Sequence, residues 1–397
     1  MFKDIRKILV LKLRHIGDVL LTVPALRALK ETFPGSRISV LVNSGTEEML
    51  TLNPLVDEVI VFDRSIKSMS TAARLRREAA FAKGLRSRGF DLAVDLTGGD
   101  RPAILSFLSG ARYRIGYEPG RGFFGKRLLY TNLVRRPAGR VHTVSRDLGL
   151  LETFGIRTAS LNVDMYASPE DEARACSLLA EHGISEGEPF VHIHPTSRWL
   201  FKCWTDEGIA QIIDRLGQEG LRTVVTSGTE KRELEKVRSI IGLARAPVAD
   251  LSGRTTLKGL SVISRKALFF FGVDSAPMHI AAASGARVVG IFGPSGAFGW
   301  GPWDNGGAVV SWPGTRKQKR TPYPARNGQQ AFGRNLVIQK DWDCVPCGKD
   351  GCEGSKRSDC LLELSAEEVW RSLKGYMAAF RTGTAGGNRR LCAGRAS

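Results

Sequence analysis

The sequence predicts an α/β protein built from two doubly wound, Rossmann-like domains. Short apolar runs alternate with stretches of helical periodicity, and this alternation occurs twice along the 397 residues. The pattern lapses once, around Tyr166-Ala167-Ser168, before a helix predicted to open at about Pro169. We expect a first domain at 1–168 and a second at 169–340. A cysteine-rich segment with a final helix that packs back on the first domain is expected at 341–381, followed by a disordered tail at 382–397.

Four apolar runs predict the strands of the first domain. Behind the first of them, Gly17 and Asp18 precede a stretch with apolar residues at helical spacing, so Asp18 stands at a predicted N-cap. An aspartate there usually caps its helix, and that role alone would explain it. The predicted strands are residues 7–11, 38–42, 58–62 and 91–95, with a long helical pattern at 71–88.

The second domain repeats this alternation. Its apolar runs are short enough for strands, and the stretches between them carry helical periodicity. The predicted strands are residues 190–194, 222–226, 267–271 and 287–292, with helices near 206–216 and 231–240.

The run at 267–271 ends in a turn that is suited to an anion. Gly272, Asp274 and Ser275 follow it, and Pro277 then favours a helix start. Free N–H groups and the positive end of the helix dipole would meet at the mouth of the sheet there, which favours a diphosphate. An ordinary tight strand-to-helix turn has the same pattern.

The run at 190–194 also ends in a polar turn. Thr196 and Ser197 supply hydroxyls, and Arg198 and Lys202 supply positive charge, which together predict a phosphate cradle. Taken alone, Lys202 is equally a surface charge, because basic residues are plentiful in this chain.

Together these segments resemble a known family. A strand followed by Gly17-Asp18, a strand followed by His194-Pro195-Thr196-Ser197-Arg198 with Phe201-Lys202-Cys203-Trp204, and the stretch from Gly272 to Ala283 occur in this order. In this combination they resemble the ADP-heptose:lipopolysaccharide heptosyltransferases of glycosyltransferase family nine, above all the type that adds the third heptose. The resemblance runs from about residue 7 to about residue 303.

The resemblance implies a glycosyltransferase B-type fold, with two domains facing a central cleft, and an inverting, metal-independent transfer of heptose to a sugar of the lipopolysaccharide inner core. It implies Asp18 as general base and Lys202 as the cation at the leaving diphosphate. For the acceptor it implies Gly17 and Arg64. The implied donor site consists of Thr196, Ser197, Lys202, Glu230, Asp274, Ser275, Ala276 and His279. For Glu230, Asp274 and His279, a helix-terminal carboxylate, a turn-holding aspartate and a packed helix histidine are the structural alternatives.

Net charge and hydropathy limit the classes of partner and the cellular locations that we expect for this chain. Fifty-eight basic residues against forty acidic ones give a net charge of +18, which favours anionic partners such as a phosphorylated glycolipid at a membrane face. No apolar run reaches the roughly 20 residues of a membrane span, and no signal-peptide core precedes the first strand. We expect a cytoplasmic enzyme associated peripherally with the inner membrane, where it meets the lipid A–core acceptor. The alternative is a non-catalytic nucleic-acid binder or another nucleotide-binding Rossmann protein, but no nucleic-acid motif is found.

Four of the seven cysteines, Cys344, Cys347, Cys352 and Cys360, lie close together in the sequence. A cytosolic chain has little need of disulfides, so this spacing predicts a structural zinc, with free or redox-active thiols as the alternative. Catalysis is expected to need no cofactor, because no Asp-x-Asp motif adjoins a strand of the second half. Asp341-Trp342-Asp343 matches that pattern only inside the cysteine segment.

Overall fold

The computed structural model describes residues 2–120, 122–306 and 321–382. The chain divides into two compact units, Met1–Tyr166 and Ala167–Ser397. Each unit contains its own parallel sheet. The predicted α/β class with two sheets is therefore confirmed, whereas most of the predicted tail, 383–397, lies outside the described residues.

The first unit is a six-stranded parallel sheet in the order β3-β2-β1-β4-β5-β6. This is the doubly wound Rossmann order, in which strands are added first on one side of β1 and then, from β4 onwards, on the other side. Its strands are β1 (Lys7–Lys12), β2 (Arg37–Asn43), β3 (Glu58–Phe62), β4 (Leu92–Asp95), β5 (Tyr113–Tyr117) and β6 (Asn132–Val134). Its helices are α1 (Ile16–Leu20), α2 (Val23–Thr32), α3 (Thr71–Arg86), α4 (Asp100–Leu108) and α5 (Thr143–Glu152).

The second unit contains a seven-stranded sheet in the order β12-β13-β11-β10-β7-β8-β9. Strand β12 runs antiparallel to β13, whereas the other strand pairs described in this sheet are parallel. Its strands are β7 (Phe190–His194), β8 (Arg222–Val225), β9 (Val248–Asp250), β10 (Phe269–Val273), β11 (Val288–Phe292), β12 (Gln330–Phe332) and β13 (Asn335–Gln339). Its helices are α6 (Pro169–Glu181), α7 (Asp206–Gln218), α8 (Lys231–Leu243), α9 (Leu257–Lys266), α10 (Ala276–Ala283), α11 (Ala297–Trp300), α12 (Asp359–Leu362) and α13 (Ala366–Thr382).

Burial on both faces explains why the strands are legible in the sequence. Every residue of β7, β10 and β11 is buried, because helices cover both sides of a parallel sheet and leave no polar face.

The start of α6 is determined by residues next to it in the sequence. Ser168 and Asp171 form a capping box there, with Pro169 in the first turn, as the break in the pattern predicted.

The last helix contributes to the apolar core of the second unit. Val369, Trp370 and Leu373 of α13 join the apolar core of the second unit, where α13 lies against α7 and β13. The indole N–H of Trp204 donates to the Leu364 carbonyl at 2.9 Å and ties down the approach to this helix. Helical spacing shows that one face of α13 must be buried, but it does not show against which surface.

Within the described ranges, no helix combines the length and the hydropathy that a membrane crossing requires.

Candidate active site

The two polar turns of the second unit meet at neighbouring strands. Strand β7 pairs directly with β10, with Gly272 opposite His194. Gly272 permits this close approach, since a Cβ atom there would lie 2.7 Å from the His194 carbonyl oxygen. The turns after these strands therefore share one edge of the sheet, the edge where ligands of such folds bind.

An ion pair joins the two turns. The Lys202 ammonium lies 2.7 Å from Oδ2 of Asp274, and the two side chains are 19% and 7% exposed. The same ammonium lies 5.3 Å from the centre of the Trp199 ring. Lys202 is therefore held at the sheet edge. It is not a free surface charge, which was the alternative suggested by the abundance of basic residues in this chain.

The start of α10 follows Asp274 directly. Ser275 is its N-cap in backbone conformation but makes no side-chain cap. Its buried Oγ has no hydrogen-bond partner among the described residues. Ala276 opens the helix, and His279, one turn later, is 5% exposed. A hydroxyl and helix N–H groups thus converge beside the Lys202–Asp274 pair, and such groups favour a bound anion.

A buried hydrogen-bond chain lies behind the β7 turn. His192 contacts Ser264 Oγ through Nδ1 at 2.9 Å and Thr226 Oγ1 through Nε2 at 2.8 Å. His194 contacts the same Thr226 hydroxyl through Nδ1 at 2.8 Å and Thr196 Oγ1 through Nε2 at 3.3 Å. The chain continues as the Thr196 hydroxyl donates to Glu233 Oε2 at 2.7 Å.

Glu233 sets the direction of this chain. A carboxylate only accepts, so each hydroxyl and ring N–H must donate toward Glu233. Both histidines are then neutral imidazoles protonated on Nε2, an assignment that rests on the hydrogen-bond pattern. Burial favours the same state, because it lowers the pKa of His192 well below its usual range and that of His194 to about 3.

Glu233, and not Glu230, is the carboxylate packed against the β7 turn. Glu230 is exposed at the N-cap position of α8. Glu233 is 6% exposed and also accepts from the Gly228 N–H at 3.3 Å. Ser197, the other hydroxyl of the turn, is buried and accepts from the Trp199 N–H at 3.3 Å. Glu233 was not predicted from the sequence. It follows Glu230 by about one helical turn, and this spacing could have indicated that both side chains lie on the same side of α8.

Asp18 lies in the first unit, behind β1. The structure corrects its predicted position: it is the third residue of α1, and His15 occupies the N-cap. Its residue is 9% exposed, and no hydrogen bond or ion pair to its carboxylate occurs among the described residues. The Asp18 carboxylate therefore makes no capping hydrogen bond in α1.

A buried ion pair underlies this segment. Lys12, the last residue of β1, pairs with Asp147 of α5, and both side chains are at most 2% exposed. The Lys12 ammonium also donates to the Leu96 carbonyl at 3.4 Å. Burial raises the pKa of Asp147 despite the Lys12 charge, and the negative charge of nearby Asp18 adds to that rise. The buried Lys12–Asp147 pair thus lies close enough to Asp18 for their charges to interact.

The end of β4 braces the same segment. Asp95 is buried opposite Leu11 of β1 and accepts from the Tyr130 hydroxyl at 2.6 Å. Thr97 Oγ1, two residues on, accepts from the Leu13 N–H at 2.8 Å and donates to the Leu11 carbonyl at 3.1 Å. The backbone that leads to Asp18 is therefore held from both sides.

The two predicted acceptor residues differ in accessibility. Gly17 is buried within α1 beside Asp18. Arg64 is exposed, and its backbone N–H lies 3.5 Å from Ser44 Oγ. Both belong to the first unit.

Comparison with known proteins assigns the family. Residues 78–329 match the model of glycosyltransferase family 9 (heptosyltransferase). The chain is 32% identical over 312 residues to lipopolysaccharide heptosyltransferase 3 of Escherichia coli, covering 78% of this chain and 89% of that protein. This chain belongs to glycosyltransferase family 9.

Solved structures agree with this family 9 assignment at the level of the fold. The glycosyltransferase of family 9 from Veillonella parvula superposes with a TM-score of 0.75 at 22% identity, covering 96% of this chain and 99% of that one. The heptosyltransferase WaaC of Escherichia coli, solved with ADP-2-deoxy-2-fluoro heptose, superposes with a TM-score of 0.64 at 19% identity, covering 93% and 99%. The two Rossmann-like domains are thus confirmed, and a non-catalytic nucleic-acid binder is not favoured.

The predicted zinc site is not supported in this family 9 chain. Cys344, Cys347, Cys352 and Cys360 are free thiols, and within the described residues no group of three or more potential ligands could hold a metal ion. Cys344 and Cys347 are exposed, whereas Cys360 packs into the apolar core. Burial and the nearby Cys352, Cys347 and Cys344 raise the pKa of the Cys360 thiol to about 12.

Proposed function

We propose that this chain transfers a heptose from ADP-heptose to a sugar hydroxyl of the lipopolysaccharide inner core and inverts the anomeric centre in a single displacement. The observation that carries the proposal is the Lys202–Asp274 pair at the start of α10, in a chain of the heptosyltransferase family. The ADP-heptose analogue bound by a related fold supports the choice of donor.

On the donor side, the leaving diphosphate gains negative charge as the glycosidic bond breaks. Lys202 supplies a cation and the first turn of α10 supplies N–H donors, so both oppose that charge where it develops. Asp274 holds the ammonium in place through its 2.7 Å contact. The hydroxyls of Ser275, Thr196 and Ser197 and the ring of His279 belong to the same proposed site.

The nucleoside end of the donor is assigned to the start of α8. Glu230 is exposed there and is proposed to contact the adenosine. Glu233 instead positions the Thr196 hydroxyl, because its carboxylate accepts from that hydroxyl at 2.7 Å.

On the acceptor side, the attacking hydroxyl must lose its proton. Asp18 is proposed as the general base, because its carboxylate is held in a short helix without a capping partner among the described residues. Gly17, which adds no side chain beside Asp18, is proposed to belong to the acceptor site, and Arg64 is proposed to contact an anionic group of the acceptor.

We further propose that the reaction needs no divalent metal, since Lys202 and the α10 N-terminus supply the charge stabilisation. Turnover should then persist in excess EDTA. A loss that added magnesium or manganese restores would contradict this part of the proposal.

The decisive experiment incubates the purified chain with ADP-heptose and lipopolysaccharide from a strain with a truncated core, and weighs the product by mass spectrometry. We expect a gain of one heptose residue. The D18N variant serves as the inactive control. No gain with any truncated acceptor, or a gain of another sugar, would overturn the assignment. The acceptor chemistry also leads us to propose that the enzyme works at the cytoplasmic face of the inner membrane.

A further inference from the structure

An apolar stripe on α4 is left open to solvent. Ile104, Phe107 and Leu108 are 41%, 47% and 36% exposed. They stand at positions i, i+3 and i+4 of the helix and therefore lie on one face. The opposite face is occupied, because Ala103 and Leu105 are buried. This helix thus packs on its sheet and still presents a second apolar face outward.

A neighbouring turn exposes apolar side chains even further. Phe123 is 43% exposed, Phe124 is fully exposed and Leu128 is 81% exposed. Gly122 and Gly125, both at positive φ, flank the two phenylalanines and hold them at the tip of a tight turn.

Three contacts fix the turn against α4. Lys126 pairs with Asp100, the first residue of α4, at 3.1 Å. The Arg114 guanidinium lies 5.5 Å from the centre of the Phe107 ring, and its Nε donates to the Leu129 carbonyl at 2.7 Å. The two apolar groups therefore form one surface. We call it the α4 surface, and it consists of Ile104, Phe107, Leu108, Phe123, Phe124 and Leu128.

Basic side chains border the α4 surface. Arg112 is exposed and the Arg127 side chain is 68% exposed. The Arg86 guanidinium lies against Gly110, just beyond the end of α4. Asp100 pairs with Lys126 and Glu118 pairs with Arg127 at 3.2 Å, so the excess positive charge at this border comes from Arg86 and Arg112. An apolar centre with a positive border is complementary to the interface of an anionic bilayer.

We propose that the α4 surface docks the first unit on an anionic phospholipid membrane, with Phe123, Phe124 and Leu128 inserted among the lipid chains. The choice of a lipid surface rests in part on the proposed function, since a lipid-linked acceptor requires the enzyme to work there. The basic side chains at its border favour the same partner, because anionic headgroups attract Lys and Arg close to a membrane surface.

The test is sedimentation with vesicles in the absence of any donor or acceptor. The full chain is mixed with vesicles of phosphatidylethanolamine and phosphatidylglycerol at roughly three to one, or with neutral phosphatidylcholine vesicles. We expect wild type to bind the anionic vesicles. The double variant Phe124→Ser with Leu128→Ser should bind these vesicles at least about tenfold more weakly, because two side chains that can insert into the bilayer are removed.

The matched control is Leu243→Ser with Leu362→Ser in the second unit, where the two leucines are 48% and 43% exposed. It also replaces two exposed apolar side chains with serine, and it should leave vesicle binding unchanged. All four positions are exposed, so the variants should melt near wild type. Replacing Arg112 and Arg127 with glutamine should weaken binding to anionic vesicles and leave the residual binding to neutral ones unaltered.

Two outcomes would overturn the proposal. One is equal vesicle binding by wild type and the Phe124/Leu128 variant. The other is a change in sedimentation coefficient for that variant with unchanged vesicle binding, which would assign the surface to a second copy of the chain. Vesicle binding is measured without sugar transfer, so failure of the proposed function would appear separately, as no transfer even to a delipidated, water-soluble acceptor.

Discussion

At the scale of single residues, the notable property of Asp18 is that its carboxylate makes no capping hydrogen bond in α1. A carboxylate in the first turn of a helix commonly satisfies backbone N–H groups. In α1 the N-cap is His15, and the Asp18 carboxylate has no partner among the described residues. The helix dipole still favours a carboxylate at this position, so the base role that we propose for Asp18 has to be separated from a stabilising one.

The substitution Asp18→Asn tests this directly. We expect turnover to fall about a hundredfold or more, with ADP affinity and melting temperature near wild type, because shape is kept and only basicity is lost. Steady-state kinetics, calorimetric titration with ADP and a thermal melt provide the readings. As a control, Asp171→Asn removes a real capping-box carboxylate and should lower stability without lowering turnover. If D18N stays within about fivefold of wild type, the base is elsewhere.

Lys202 is the second residue whose role separates into binding and catalysis. We expect Lys202→Met to lower kcat by a larger factor than it lowers ADP affinity, because the charge that Lys202 opposes peaks in the transition state. Lys236→Met is the matched control, since Lys236 is a half-buried lysine of the same unit that pairs with Asp206. Equal losses in kcat and in affinity would reduce Lys202 to a binding residue.

At the scale of elements, a chain of buried hydrogen bonds runs from α9 past β7 and the end of β8 to α8. Ser264, His192, Thr226, His194 and Thr196 lead in one direction to Glu233. Each member is satisfied by the next, which is the condition under which a buried polar network fixes a single arrangement. The network thereby fixes the rotamer of Thr196 at the edge where the anion site is proposed.

This network makes the second unit sensitive to acid. The pKa of His194 is depressed from 6.5 to about 3 by burial, so below pH 6.5 the unfolded chain takes up a proton that the folded chain refuses. Stability should therefore fall as pH falls from about 6.5, by about 1.4 kcal/mol per pH unit for each such histidine. His192 shifts in the same direction.

Urea unfolding between about pH 7 and pH 4.5 measures this slope. The variant His194→Gln keeps hydrogen-bonding capacity and removes one titrating group. Its slope should be shallower than that of wild type by about 1.4 kcal/mol per pH unit. Identical slopes would show that His194 is protonated in the folded state and that the tautomer assignment is wrong.

At the scale of the whole molecule, each unit has its own core, and the C-terminal helix belongs to that of the second. Leu373 of α13 is completely buried there. We expect Leu373→Ala to destabilise the second unit by about 2–5 kcal/mol, because it leaves a cavity among α7, β13 and α13. Hydrogen exchange should show faster exchange in β7, β10 and β11 and unchanged exchange in β1 and β4.

The control for this prediction is Lys374→Ala on the exposed side of the same helix, which should change stability by less than about 0.5 kcal/mol. Faster exchange in the strands of the first unit would instead indicate that α13 supports both units.

The sequence by itself predicted eight of the thirteen strands in the described part of the chain. The predicted strands at 58–62 and 190–194 match β3 and β7, and the predicted strand at 267–271 is displaced by two residues from β10. Five further strands were missed. The edge strands β6, β9 and β12 have three residues each, too few for any periodicity to register. Strand β5 is only partly buried, so its apolar run is interrupted.

Local order along the chain thus determined the fold class, the strand ends and the motifs that follow them, because backbone pattern and burial on both faces leave a direct trace in residue type. Tertiary structure alone decided that Lys202 meets Asp274, that Glu233 terminates the histidine chain, that Asp18 is released from capping and that α13 joins the second core. These contacts join residues far apart in sequence or depend on side-chain direction. Periodicity states that a face is buried, but the surface that it meets is chosen only when the chain has folded.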